Sequence, residues 1–201
     1  MTIRIVGLGG SLKTDSTSLA ALKVALEGAS EAGAETELLS VRELDLPLFS
    51  PEVAPTRDAR RLADAVAGAD GLIWSSPLYH GSVSGSFKNA VDWLQLLSDR
   101  DPPYLSHKVV GLVATAGGVQ GLQAVNTMEF VVRALRGWAV PLVIPVARAW
   151  EAFDGGEAVD DGVIRQLTGL GAEVVGAAAR FSTDGSFDGR LVQTGPSRTR
   201  A

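Results

Sequence analysis

Five times along this chain a short apolar run of strand length is paired with a longer segment of helical period. The runs are Ile3–Gly9, the more polar and edge-like Glu35–Ser40, Gly71–Ser75 ending at Ser76-Pro77, Val109–Ala114 and Ala139–Pro145. Between and after them, apolar residues recur at spacings of three and four. The stripes are Leu19, Leu22, Leu26 and Ala29; then Leu62, Ala65, Val66 and Ala69; then Phe87, Val91, Leu94 and Leu97; then Val125, Met128, Val132 and Leu135. A closing helix is expected over Ile164–Arg180. Three- and four-residue spacing puts these side chains on one helical face. Strands that are apolar throughout, rather than alternating, belong to a parallel sheet covered by helices on both faces. Gly33 ends the first helix, and Pro47, Pro51 and Pro55 mark a loop.

A length of 201 residues suits one domain. From Ser182 the composition turns polar and rich in Gly and Ser, so the chain reads as a domain over 1–181 and a polar tail over 182–201. There are no cysteines, which excludes disulfides, iron–sulfur clusters, thiolate zinc sites and a cysteine nucleophile. His80 and His107 are the only histidines, too few for a zinc site built on several of them, and no metal is expected. The net charge of −5 argues against a general nucleic-acid or anionic-membrane surface. No stretch reaches the roughly 18–20 apolar residues of a membrane helix. The first apolar run is brief, Lys13 and Asp15 follow at once, and no small-residue cleavage site appears. A cytoplasmic protein is expected.

In open parallel sheets, ligands bind beyond the carboxyl ends of the strands. After the first run comes Gly10-Ser11-Leu12-Lys13-Thr14-Asp15-Ser16-Thr17-Ser18. Small residues turn the backbone tightly and expose N–H groups at a helix start, where donors and dipole favour an anion. Ser11, Ser16, Thr17 and Ser18 add hydroxyls and Lys13 a charge, more than an ordinary N-cap requires. A Walker loop is absent, and the Gly-x-Gly-x-x-Gly fingerprint that would start at Gly7 and Gly9 meets Leu12 at its third position. Many donors around one group suit a terminal monophosphate, and riboflavin monophosphate (FMN) fits.

After the third run comes Ser76-Pro77-Leu78-Tyr79-His80-Gly81-Ser82-Val83-Ser84-Gly85-Ser86-Phe87-Lys88-Asn89-Ala90-Val91-Asp92-Trp93. It is no nucleophile elbow, because Val83 stands at the centre of Gly81–Gly85. An aromatic ring, a histidine and backbone groups can flank a flat heterocycle. Lys88 and Asp92 read as an i,i+4 pair on one helix face, and Trp93 as core or interface. After the fourth run, Thr115-Ala116-Gly117-Gly118-Val119-Gln120-Gly121 is a third glycine-rich turn at the same sheet edge. Three such turns make a pocket. The loop 150–156 reads as packing.

Gly10-Ser11-Leu12-Lys13-x-x-Ser16, followed by Pro77-x-Tyr79-His80-x-Ser82-x-x-Gly85-x-Phe87-Lys88-Asn89-Ala90-x-Asp92-Trp93, resembles the NADPH-dependent FMN reductases of flavodoxin-like fold. These include chromate, quinone and azo dye reductases and flavin reductases that feed monooxygenases. The likeness runs over roughly positions 3–145, and the second motif is the specific one. It implies a doubly wound, five-stranded parallel sheet of order 2-1-3-4-5. It also implies non-covalent FMN: Ser11, Lys13, Ser16, Thr17 and Ser18 on the phosphate, Pro77, Leu78, Tyr79 and His80 along the isoalloxazine, and Thr115, Ala116, Gly117 and Gly118 closing the pyrimidine side. Members are usually homodimers or homotetramers with the flavin near a subunit interface. Lys13 stands where the family commonly has Arg, Leu78 where many have Glu, His80 where many have Asn, and Ser84 where Pro is frequent.

The expected activity is a ping-pong reaction from NADPH or NADH, through FMN, to a small-molecule acceptor such as a quinone, a free flavin or an azo compound. The flavin carries the chemistry and no catalytic side chain is expected; Tyr79 and His80 serve packing and acceptor gating. The rivals are a flavodoxin-type electron carrier without NAD(P)H oxidation, and a flavin-free scaffold.

Overall fold

A computed structural model of the chain describes residues 2–183. In chain order the strands are β1 (Arg4–Gly9), β2 (Glu35–Ser40), β3 (Gly71–Tyr79), β4 (Ser82–Val83), β5 (Val109–Thr115), β6 (Trp138–Val146), β7 (Phe153–Asp154) and β8 (Glu157–Ala158). The helices are α1 (Thr17–Glu31), α2 (Val41–Leu44), α3 (Arg57–Ala67), α4 (Gly85–Asp92), α5 (Gly121–Ala134), α6 (Ala149–Ala152) and α7 (Asp161–Thr183), with a 3₁₀ turn over Trp93–Leu97. The closing helix takes in Ser182 and Thr183, and the rest of the expected tail, 184–201, lies outside the described residues.

The main sheet runs β2-β1-β3-β5-β6, all parallel, which is the expected order of the five long strands. Two features add to it. β4 pairs antiparallel with the end of β3, Leu78 against Val83 and Tyr79 against Ser82, so β3 runs past Pro77 as one arm of a hairpin. β7 and β8 form a separate two-stranded ribbon. Strands of two residues are too short to show a period, so no apolar pattern announces them.

Successive side chains of a strand point to opposite faces, and the core accordingly divides in two. Val6, Leu8, Leu72, Trp74, Val110 and Leu112 pack with α3, α4 and α5. Ile5, Ile73, Val109 and Val113 pack with α1 and α7. Small residues on this second face let the helices come close. A Cβ on Gly7 would lie 2.7 Å from Leu26 Cδ1, and one on Gly111 2.7 Å from Val174 Cγ2. The two helices also cross closely, since a Cβ on Gly171 would stand 2.1 Å from the Ala25 carbonyl.

Candidate functional site

The register of the sheet brings the three glycine-rich turns together. Gly9 is paired with both Ser40 and Ser75, and Pro77 with Thr115, so β1, β2, β3 and β5 leave the sheet at neighbouring points. Gly10 then bonds through its N–H to the Ser75 carbonyl (2.8 Å). A side chain on Gly10 would meet Phe87 Cβ at 2.6 Å, so this turn closes against α4 only with glycine here.

Side chains stitch the turns to one another. Ser84 Oγ and Ser86 Oγ both donate to the Gly10 carbonyl, the second at 3.1 Å. Ser84 Oγ also caps α4 by accepting from Phe87 N (3.1 Å), and Ser84 N donates to Ser76 Oγ (3.0 Å). Thr17 Oγ1 donates to Thr115 Oγ1 (3.2 Å), tying the first turn to the third. In the third turn, the Ala116 and Gly118 carbonyls accept from Ala149 N (2.9 Å) and Arg148 N (3.2 Å). The turns form one assembly.

With those carbonyls engaged, the N–H groups remain. Those of Ser11, Leu12 and residues 14–18 make no hydrogen bond among the described residues, nor do those of Gly117, Gly118 and Val119. Lys13 N donates to Ser11 Oγ (3.1 Å), and Leu19 N to Ser16 Oγ (3.1 Å), the N-cap of α1. No acidic residue stands in the first turn of α1. Free N–H donors at a helix start, with the Lys13 side chain on the same turn, suit an anion, against which Asp15 sets one exposed carboxylate; the turn is called the anion cradle below.

The individual residues take distinct places. Ser11 and Ser16 are buried at the base of the turn, whereas Lys13 is exposed. Ser18 is fully buried and its hydroxyl pairs with Ser16 Oγ at 3.0 Å, so it supports Ser16 from behind. Pro77 is buried, Leu78 half-buried, and Tyr79 and His80 exposed, Tyr79 by 52%. His80 and Gly81 have φ of 49° and 83° and form the two-residue tip of the β3–β4 hairpin. Thr115 and Ala116 are buried beneath exposed Gly117 and half-buried Gly118.

Local sequence hid several contributors. The sequence marks Ser84 only as standing where Pro is frequent in the family and assigns no role to Ser86 or Arg42. Yet Arg42 Nη1 donates to the Leu12 carbonyl at 2.8 Å. The motif around Asn89 divides by role. Asn89 Oδ1 accepts from Phe49 N (2.8 Å), and Asn89 Nδ2 (3.0 Å) and Trp93 Nε1 (2.8 Å) donate to the Pro47 carbonyl, pinning the proline-marked loop. Lys88 and Asp92 form the expected i,i+4 ion pair (2.5 Å). Of the 150–156 loop, Phe153 packs in the core, while Trp150 is 62% exposed beside Gly117. Among the described residues no cluster of three or more His, Cys, Asp or Glu is placed to hold a metal, and no helix is long and apolar enough to cross a membrane.

The family described as NADPH-dependent FMN reductase matches residues 3–151. The NADPH-dependent FMN reductase ArsH of Acidithiobacillus ferrooxidans is 36% identical over 124 residues, 62% of this chain and 51% of that protein. The FMN-dependent NADPH-azoreductase of Staphylococcus aureus is 30% identical over 141 residues, 67% of this chain and 72% of that protein. The chain spans between 51% and 61% of the length of the three ArsH proteins it matches. Among solved structures, the flavoenzyme NAD(P)H:(acceptor) oxidoreductase FerB of Paracoccus denitrificans superposes with a TM-score of 0.70 at 22% identity, covering 90% of this chain and 99% of that one.

Proposed function

Because the chain belongs to the NADPH-dependent FMN reductase family, we propose that it is an FMN-dependent NAD(P)H oxidoreductase whose second substrate is a small-molecule acceptor such as a quinone, a free flavin or an azo compound. The observation that carries this reading is the anion cradle before α1, stitched by Ser84, Ser86 and Thr17 to the two turns that flank it. Bound FMN supplies a two-electron relay between the nicotinamide and the acceptor, chemistry no side chain here can perform.

The residues fit a flavin monophosphate. Ser11, Lys13, Ser16 and Thr17 hold the phosphate together with the free N–H groups of their turn, Thr17 through its amide because its hydroxyl serves Thr115. Ser18 keeps Ser16 in place. Pro77, Leu78, Tyr79 and His80 line the ring, and Thr115, Ala116, Gly117 and Gly118 close its pyrimidine side. The free N–H groups of Gly117 and Gly118 are fixed donors, ready to stabilise negative charge without reorganising. Tyr79 and His80 pack against the flavin and gate the acceptor; neither transfers a proton.

Exposed apolar side chains on α5 and just before it, Val119, Leu122 and Phe130, support assembly as a homodimer or homotetramer. The protein works in the cytoplasm, with no nucleic-acid or membrane partner.

The test is to titrate the purified chain with FMN and mix the complex anaerobically with NADPH and, separately, NADH. The flavin absorbance bleaches and returns on addition of a quinone. A complex that stays oxidised with both nicotinamides is an electron carrier. A protein that takes up no FMN is neither.

A further inference from the structure

The β1–β2 register sets Ser40 beside Gly9, so the two chains leave the sheet at the same level, one into the anion cradle and the other into α2. Two residues after Ser40 comes Arg42, whose N–H donates to Ser40 Oγ at 3.3 Å, fixing the first turn of α2. Its guanidinium reaches back across the gap, and Nη1 donates to the Leu12 carbonyl at 2.8 Å. Leu12 lies between Ser11 and Lys13, inside the cradle.

That bond uses one of the five N–H donors of a guanidinium. Arg42 is exposed and forms no ion pair among the described residues. Its charge is therefore held at the rim of the cradle with most of its donors uncommitted. Lys13, on the turn itself, is a compact point charge on a flexible stem; a guanidinium is a planar fork that matches a phosphate with two parallel bonds.

We infer that Arg42 is a phosphate-directed cation of the cofactor site, selecting the phosphorylated flavin over riboflavin. This rests on the FMN reading above. Arg42 also engages the Leu12 carbonyl, an acceptor that would oppose an anion beside it.

The experiment measures dissociation constants for FMN and riboflavin by flavin fluorescence, for the full chain and for Arg42→Gln and Arg42→Lys, at low and high salt. Thermal unfolding of each variant confirms that it is folded. Loss of a charge-assisted bond predicts that Arg42→Gln weakens FMN by about tenfold and leaves riboflavin unchanged. It also flattens the salt dependence of FMN binding, whereas Arg42→Lys keeps most of that dependence and recovers part of the affinity. Equal FMN-to-riboflavin preference in wild type and Arg42→Gln overturns the inference. So does a loss of FMN affinity with the salt dependence intact, because Arg42 then only props the turn. A wild-type protein that binds neither flavin overturns the cofactor reading itself and this one with it.

Discussion

The Ser84 hydroxyl donates to the Gly10 carbonyl, 74 positions earlier in the chain, and in the same place caps α4 by accepting from Phe87 N. One buried side chain thereby sets both the entry of a helix and the peptide orientation at the base of the anion cradle. Ser84→Ala removes the cap and leaves the Gly10 carbonyl to Ser86 alone. A lost serine cap costs about 1 kcal/mol, which lowers the midpoint of thermal unfolding by roughly 2–4 °C in a domain of this size. FMN affinity falls with it in a fluorescence titration. Ser84→Pro, which carries the residue frequent in the family, keeps the backbone angle (φ −62°) but also removes the N–H that Ser76 Oγ accepts. It is expected to be the less stable of the two.

At the hairpin tip, His80 and Gly81 both have positive φ. A two-residue hairpin of this kind favours Asn-Gly, because Asn tolerates the left-handed region better than histidine does. His80→Asn is expected to raise stability by about 0.5 kcal/mol, and Gly81→Ala to lower it by about 1 kcal/mol. Urea unfolding followed by circular dichroism reads both. An unchanged or lower midpoint for His80→Asn means that the histidine ring makes a contact worth more than the backbone relief.

The contrast between these two sites shows what a one-dimensional reading reaches. The β3–β4 hairpin is not read from the sequence, although its tip residues His80 and Gly81 are adjacent, because an arm of two residues shows no period. The long strands announce themselves because Val109–Thr115 is buried at every position, which leaves an unbroken apolar run. The stitching of the cradle has no such signature. Ser84, Ser86 and Arg42 act across 74, 76 and 30 positions, and Thr17 meets Thr115 across 98. A serine that holds a distant carbonyl has the same local pattern as one that caps a helix, and Ser84 does both. Thr17 reads as a hydroxyl for an anion, yet the pairing of β3 with β5 brings Thr115 within its reach. Ser18 shows the converse. Its place among four hydroxyls suggests a ligand, but burial turns it into a support for Ser16.

Far from the cradle, Lys108 enters β5 with its ammonium donating to the carbonyls of Ala67 and Ala69 at the end of α3. Burial lowers its pKa below the ordinary lysine value, and the nearby Asp70 carboxylate partly opposes that shift. In the interval between the folded and unfolded pKa, the unfolded chain holds a proton that the folded protein has released. The contribution of this group to stability therefore rises as pH climbs towards the ordinary lysine range and levels off above it. Lys108→Met abolishes that slope. It also strands two carbonyls, costing about 1–3 kcal/mol at neutral pH. Urea unfolding of both proteins from pH 7 to 11 reads the difference; identical pH profiles rule out Lys108 as the group responsible.

Asn89 belongs to the motif that carries the family likeness, yet both of its side-chain groups are spent on the loop that passes over α4. Its carbonyl oxygen accepts from Phe49 N, and its amide donates to the Pro47 carbonyl, which Trp93 Nε1 shares. Trp93 is packed edge-on against Phe49 at 5.3 Å, so the loop is held by three hydrogen bonds from two side chains and by one ring contact. Asn89→Ala leaves Phe49 N and half of the Pro47 anchorage without a partner, a loss of about 1–3 kcal/mol. Because the hydrogen bonds of Asn89 all go to this loop and none to the anion cradle, FMN affinity measured below the unfolding transition stays within twofold of wild type. The two readouts should separate: stability falls while binding holds. If binding weakens as far as it does in Ser84→Ala, the loop over α4 is part of the cofactor site, and the motif is a binding signature along its whole length.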